Sequence, residues 1–396
     1  MKPLGELVVT ILFALLLLVL PSSVQAQFAF TTNNGALTIT GYTGPGGDVI
    51  IPATTNGMPV TDIGTNAFYS RGSLSSVTIP DSVTNLGKYA FALCTNMTDV
   101  MISNSVTNIG MSAFYYCTSL NSAMLPGSVT SIGVGAFNSC INLTNVTIAD
   151  GVRNIGDSAF FNCAGLTSVT IPDSVTNIGS SAFSACSSVT NVMIGNSVTS
   201  IGSQAFYYCS NLTSIAIPSS VTSIGDGPFL LCSSLTAITV NALNHAYTNV
   251  GGVLFDANLN LLLEYPGGKV GDYTIPTGVT QLGNYAFGGC GGLTSVAIPN
   301  SVTKIGIGAF YYCSSLTSIV VPDSVASIRA GAFYYCTCLI SVTIPASVTS
   351  IEMNLLYNCT NLQSVYFKGN VPILSDPTAF HGDLDATVYY LPGTTG

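Results

Sequence analysis

A phenylalanine, usually preceded by alanine, recurs through this chain at a fixed interval. It stands at Phe68, Phe91, Phe114, Phe137, Phe160, Phe183, Phe206, Phe229, Phe287, Phe310 and Phe333, and Leu356 takes its place once more. The interval is 23 residues except between Phe229 and Phe287, which lie 58 apart, an excess of 35. From Cys94 to Cys359 a cysteine follows that position by three residues in every unit. A period held this long means a repeat architecture rather than a string of separate domains. One such unit has too few apolar side chains to offset the entropy of ordering it. Stacking solves this, because each unit covers its neighbour's apolar surface, and it requires the same residue types to return in the same register.

The unit reads L-x-x-V-x-I-P-x-S-V-x-x-I-G-x-x-A-F-x-x-C, as in "LTSVTIPDSVTNIGSSAFSAC" (Leu166–Cys186). Its first part alternates apolar and polar and is β-branched, which predicts a short strand. Pro172 and its equivalents end that strand for want of an N–H. Gly179 and its equivalents are expected to bend the backbone. The Ala/Phe part is expected to form one helical turn or a 3₁₀ segment. The prediction is an α/β repeat, a solenoid of about twelve 23-residue strand–turn–short-helix coils whose strands form a parallel sheet.

The ends break the pattern. Leu7–Leu20 is an apolar core behind Lys2, and Val24 and Ala26 are small residues at the −3 and −1 positions of a cleavage site. This predicts a signal peptide over 1–26, cleaved after Ala26, and export. Residues 27–59 contain an Asn34-Gly35 turn between alternating runs and are expected to form an N-terminal hairpin cap. Repeats occupy 60–240 and 275–366, separated by a hairpin insertion at 241–274, and 367–396 reads as a C-terminal cap.

Composition removes several functions. Charged residues are 6% of the chain, with 8 basic against 17 acidic side chains and a net charge of −9. Nucleic acids need clustered Lys and Arg to displace phosphate counterions, so no nucleic-acid partner is expected. After the signal segment no apolar run approaches the ~20 residues of a membrane span.

The consensus resembles the repeat of the BspA-like leucine-rich repeat proteins of bacterial surfaces and secretions. The match runs from about Val60 to Tyr366, and "GVLF" (252–255), "VYFKGN" (365–370) and "ATVYYLPGT" (386–394) are also similar to that family. The resemblance implies a leucine-rich-repeat solenoid, export, and adhesion or protein binding, with no catalytic residue. Arg71 departs from it, standing where the first coil should have cysteine. In similar proteins the ending runs on into a Trp-containing strand; this chain has no Trp, which leaves the C-terminal cap short of that strand.

The residues carry little reactive chemistry. Eleven cysteines share one position and read as a row of buried free thiols, since parallel side chains neither aim at each other for disulfides nor converge on a metal. His245 and His381 have no partners at motif spacing, so no catalytic, cofactor or metal site is expected. Two surfaces remain. One is the outward strand face, with Met101, Met124, Thr147, Thr170 and Met193 at its centre. The other is the tyrosine set after the phenylalanines: Tyr311, Tyr312, Tyr334, Tyr335 and Tyr357. Such surfaces suit an unidentified extracellular protein or glycan, making a non-enzymatic binding protein the first expectation. A self-associating cell-envelope or matrix component is the second.

Overall fold

The computed structural model describes residues 27–370, 372–382, 386–391 and 394; the expected signal segment, residues 1–26, lies outside them. The chain winds as a succession of short segments into a solenoid. Among the described residues, fifteen strands stand along one side, from Gly47–Ile50 to Thr387–Tyr390. Most neighbours pair in parallel and in register, as Val169 does with Val192 and Thr170 with Met193. The alternation does what it predicts. In Asn145–Ile148, Asn145 and Thr147 face solvent while Val146 and Ile148 enter the core. The serine of P-x-S-V ties coils together: Ser128 Oγ donates to the Val106 carbonyl at 2.6 Å, and Ser174 Oγ to that of Val152 at 2.8 Å.

Two local expectations are corrected. The residues before the conserved glycine form a second parallel ladder, with Asn154 opposite Asn177 and Ile155 opposite Ile178. This ladder joins an 11-stranded sheet that starts at the N-terminal hairpin. The glycine is there for close approach rather than for a bend. A Cβ on Gly133 would lie 2.6 Å from the carbonyl carbon of Gly110 and 2.6 Å from the Ile109 oxygen. In two successive coils Arg329 and Glu352 replace it, and their side chains form an ion pair at 2.8 Å.

The Ala/Phe segment is not a helical turn. The N–H groups of Ser112, Phe114 and Tyr116 donate to Val134, Ala136 and Asn138 of the next coil at 2.8, 2.7 and 2.8 Å. Those between them, of Ala113, Tyr115 and Cys117, donate three residues back at 3.2, 3.1 and 3.3 Å. Every second donor is committed to a neighbour, so a helical ladder cannot propagate. The alternation places Ser112 and Tyr116 in the left-handed region, at φ 53° and 58°. The solenoid is therefore bonded between coils on all three sides.

Inside, the phenylalanines form a column, with Phe91 and Phe114 rings 5.3 Å apart and Phe114 and Phe137 5.0 Å apart. The cysteines pack beside it as free thiols. Those of the row donate to a phenylalanine carbonyl of the preceding coil, as Cys117 Sγ does to Phe91 at 3.2 Å, except Cys290, which donates to Tyr265 at 3.5 Å. Burial pushes the Cys117, Cys163 and Cys186 thiols well above their ordinary pKa, so they remain protonated.

The insertion is more than a hairpin: it repeats the plan of the N-terminal cap. Phe28–Asn33 pairs antiparallel with Ala36–Tyr42, which runs parallel to Met58–Ile63. Val253–Asp256 likewise pairs antiparallel with Leu261–Glu264, which runs parallel to Gln281–Leu282. Each hairpin leads into a strand with the same bulge, Gly47-Asp48 opposite Leu74 and Ser76, and Gly271-Asp272 opposite Leu293 and Ser295. Each bulge is held by a serine hydroxyl on the aspartate, Ser76 on Asp48 at 2.7 Å and Ser295 on Asp272 at 2.8 Å. The insertion adds Tyr247–Val250 on the outside of its hairpin. The hydrophobic core divides here. One cluster runs from Phe28 to Ile238 and Leu254, the other from Val253 and Phe255 to Ala379.

Candidate recognition surfaces

Strand pleating brings the first set of candidate residues into one row. Met124 stands opposite Thr147, and Thr170 opposite Met193. Met101, Met124 and Met193 are 67%, 68% and 53% exposed, large values for apolar side chains. Ile50, Val320 and Tyr366 continue the row at either end and are exposed as well. Met193, Ala216 and Thr239 line an open groove of about 540 Å³ whose rims carry Asn191, Asn196 and Asn241. Lysine, arginine, aspartate and glutamate are absent from its lining.

The tyrosines occupy a different side. Inward packing of each phenylalanine and of the cysteine three residues on pushes the two residues between them outward. Tyr311, Tyr334 and Tyr357 form a column, with ring centroids 5.2 and 4.9 Å apart. Tyr312 and Tyr335 form a second, stacked 4.7 Å apart and nearly parallel at 2°. Stacking covers most ring faces and leaves edges and hydroxyls to solvent; Tyr312 is the most open, at 37%. Burial, then the neighbouring tyrosines, push the Tyr311 hydroxyl up to about 12, so it stays a donor at neutral pH.

His381 extends the first column, its ring 4.9 Å from Tyr357 at an 8° angle. The repeat pattern did not announce this, because Phe380 follows Leu356 by 24 residues, one more than the period. The register nevertheless holds, with the Leu356 N–H donating to Ala379 at 2.8 Å and that of Asn358 to His381 at 2.8 Å. His245 lies exposed in the insertion, in another part of the molecule. Among the described residues, no three His, Cys, Asp or Glu side chains gather as metal ligands.

The tyrosine columns also frame a hollow that the repeat pattern did not point to. It lies where the insertion leaves this side of the solenoid uncovered. There the Phe229 coil meets the Phe287 coil directly, with Asn284 Nδ2 donating to Asp226 Oδ2 at 3.0 Å. Tyr207, Tyr285 and Tyr311 line it with Gln204, Ser181 and Ser184.

The comparisons with known proteins agree with this geometry. A family model described as BspA type leucine rich repeat region, present in 6 copies, matches residues 54–167, 153–261 and 266–384. A leucine-rich cell surface protein from Faecalibacterium prausnitzii is 32% identical, with a TM-score of 0.74, covering 92% of this chain and 93% of that one. A leucine-rich repeat protein from Eubacterium ventriosum is 27% identical, with a TM-score of 0.60 over 91% of this chain and 81% of its own. One from Bacteroides ovatus is 26% identical, with a TM-score of 0.54 over 92% and 97%. A search of curated proteins gives no match. Among the described residues no helix is long and apolar enough to cross a membrane. With its repeats matched from one end of the solenoid to the other, the chain belongs to the BspA-type leucine-rich repeat family.

Proposed function

We propose that this chain is an exported, non-enzymatic recognition protein that binds an extracellular protein on its strand face, in an adhesion or recognition role. The observation that carries this reading is the row of exposed methionines, Met101, Met124 and Met193, on a strand face whose charged side chains, such as Asp48 and Asp99, are few. An exposed apolar row, interrupted here by Thr147 and Thr170, suits an interaction surface. Methionine's unbranched, polarisable side chain adapts to an irregular partner. Export rests on the Leu7–Leu20 run and the Val24/Ala26 site. The test is a screen of the purified chain against extracellular-protein arrays, beside a Met101/Met124/Met193→Glu variant. Saturable binding lost in that variant is the expected result; binding that survives it removes the strand face from the reading. An N-terminus at Gln27 in the secreted protein would bear out the cleavage.

The second reading is self-association. In its favour, every residue of Thr387–Tyr390 is exposed, although the strand pairs with Ser364–Phe367. A mass that stays monomeric across a wide concentration range would remove it.

A further inference from the structure

We infer that the hollow between Tyr207 and Tyr311 is a binding site for a neutral oligosaccharide. It is a different surface from the strand face and stands independently of it.

The hollow has a definite origin. Two columns of outward residues run along this side of the solenoid, one just after each phenylalanine and one two residues before it. In the first column, Tyr207 is followed by Leu230, Gly288 and Tyr311. Gly288 has no side chain, and a Cβ there would meet Leu230 Cδ1 at 2.3 Å. A gap of about 350 Å³ opens between the tyrosines on either side. In the second column Tyr285 closes one wall and Gln204 and Ser181 another. Gly308 makes room for Tyr285, whose Cδ1 lies 2.6 Å from where a Cβ would stand.

The rings are set differently from those of the stacked columns. Tyr311 stacks on Tyr334 on one side, but on the other it meets Tyr285 edge-on, at 88° with centroids 6.1 Å apart. The two rings form a corner rather than a closed pile.

This lining has the chemistry of a sugar site. A pyranose offers a C–H face that packs on an aromatic ring and a rim of hydroxyls that both donate and accept. Three phenols, one carboxamide and two serine hydroxyls match that mixture, since each can donate and accept. No Lys, Arg, Asp or Glu lines the hollow, so nothing there would hold a sulfate or uronate. The chain's net charge of −9 also repels a polyanion. A hydrophobic peptide anchor would leave Gln204 and the serines without partners, which is costly once water is excluded.

Three of the chain's 19 tyrosines line the hollow, so its fluorescence would not single the site out, and binding is read by titration calorimetry. The experiment titrates the purified chain with cellopentaose, xylopentaose, mannopentaose and maltopentaose, and with a heparin pentasaccharide as the charged probe. The variants are Tyr207→Ala, Gln204→Gly and Met101/Met124/Met193→Glu. Gln204 sits at φ 56°, where glycine is at home, so its replacement removes the amide without straining the backbone. The expected result is saturable binding of at least one neutral pentaose. It should weaken by about 10-fold or more in Tyr207→Ala and Gln204→Gly and be unchanged in the methionine variant. If Tyr207→Ala does not fold, Gln204→Gly decides. Absence of saturation with every neutral sugar to about 10 mM, equal affinity in the hollow variants, or preference for heparin overturns the inference. None of these outcomes bears on the strand-face reading, which rests on the methionine variant and a protein partner.

Discussion

Tyr42 and Tyr265 do the same work at two places in the chain. The Tyr42 ring lies 5.1 Å from Phe68, and the Tyr265 ring 5.1 Å from Phe287. Tyr42 ends the inner strand of its hairpin, Tyr265 follows directly after its own, and each begins a phenylalanine column. The insertion is therefore a second start, and the solenoid is two capped arrays joined end to end.

A chain beginning at residue 242 should accordingly fold alone. Its hairpin would cover the open end of its first coil as Phe28–Tyr42 does in the whole protein. A cooperative thermal melt of the purified fragment, with strand circular dichroism, checks this. A fragment that melts without cooperativity would show that the second array needs the first.

Glu264 lies in the seam between the two arrays, 1% exposed, with its Oε2 lacking a hydrogen-bond partner. Burial raises its pKa well above the ordinary carboxylate range. The folded protein keeps this proton where the unfolded chain, with an ordinary pKa of about 4.3, has lost it. Stability therefore falls as pH rises above that value. Glu264→Gln should stabilise the protein by about 1–3 kcal/mol at pH 8, with the gain shrinking toward pH 4. Urea midpoints at both pH values test this, and a gain that does not change with pH would refute it.

Gly133→Ala should be far more damaging than an ordinary surface change, because the added carbon meets backbone of the preceding coil at 2.6 Å. Backbone cannot swing aside as a side chain can, so a loss of about 1–3 kcal/mol is expected. Arg329→Ala, which removes a half-exposed ion pair, should cost under about 1 kcal/mol. Denaturant midpoints of the two variants give the comparison, and equal losses would mean that the coils can spread.

Thiol chemistry gives a count. Of the 12 cysteines, Cys338 is exposed and the others are buried and free. One thiol per folded chain should react with a thiol-specific reagent, and all 12 after denaturation. Several fast-reacting thiols in the native protein would show that the coils open.

The period by itself determined the repeat, the parallel strands and the inward Phe and Cys. Each is a one-dimensional requirement: a coil must present to its neighbour the surface that its neighbour presents to it. The same pattern placed Met101, Met124 and Met193 on one face, because strand alternation fixes which side a residue occupies. What needed the tertiary structure was whatever depends on distance between coils. Whether the glycines bend the chain or let backbones touch is decided by the spacing of the stack. Whether "SSAF" coils into a helix is decided by where alternate N–H groups find acceptors, and the next coil offers them first. The likeness of the insertion to the N-terminal cap lies in strand pairing, and the residues the two share, Tyr42 and Tyr265 and the two Gly-Asp bulges, are few and differently spaced in the sequence. The hollow at Tyr207, Tyr285 and Tyr311 exists because two coils far apart in sequence meet where the insertion does not intervene. No period records that contact.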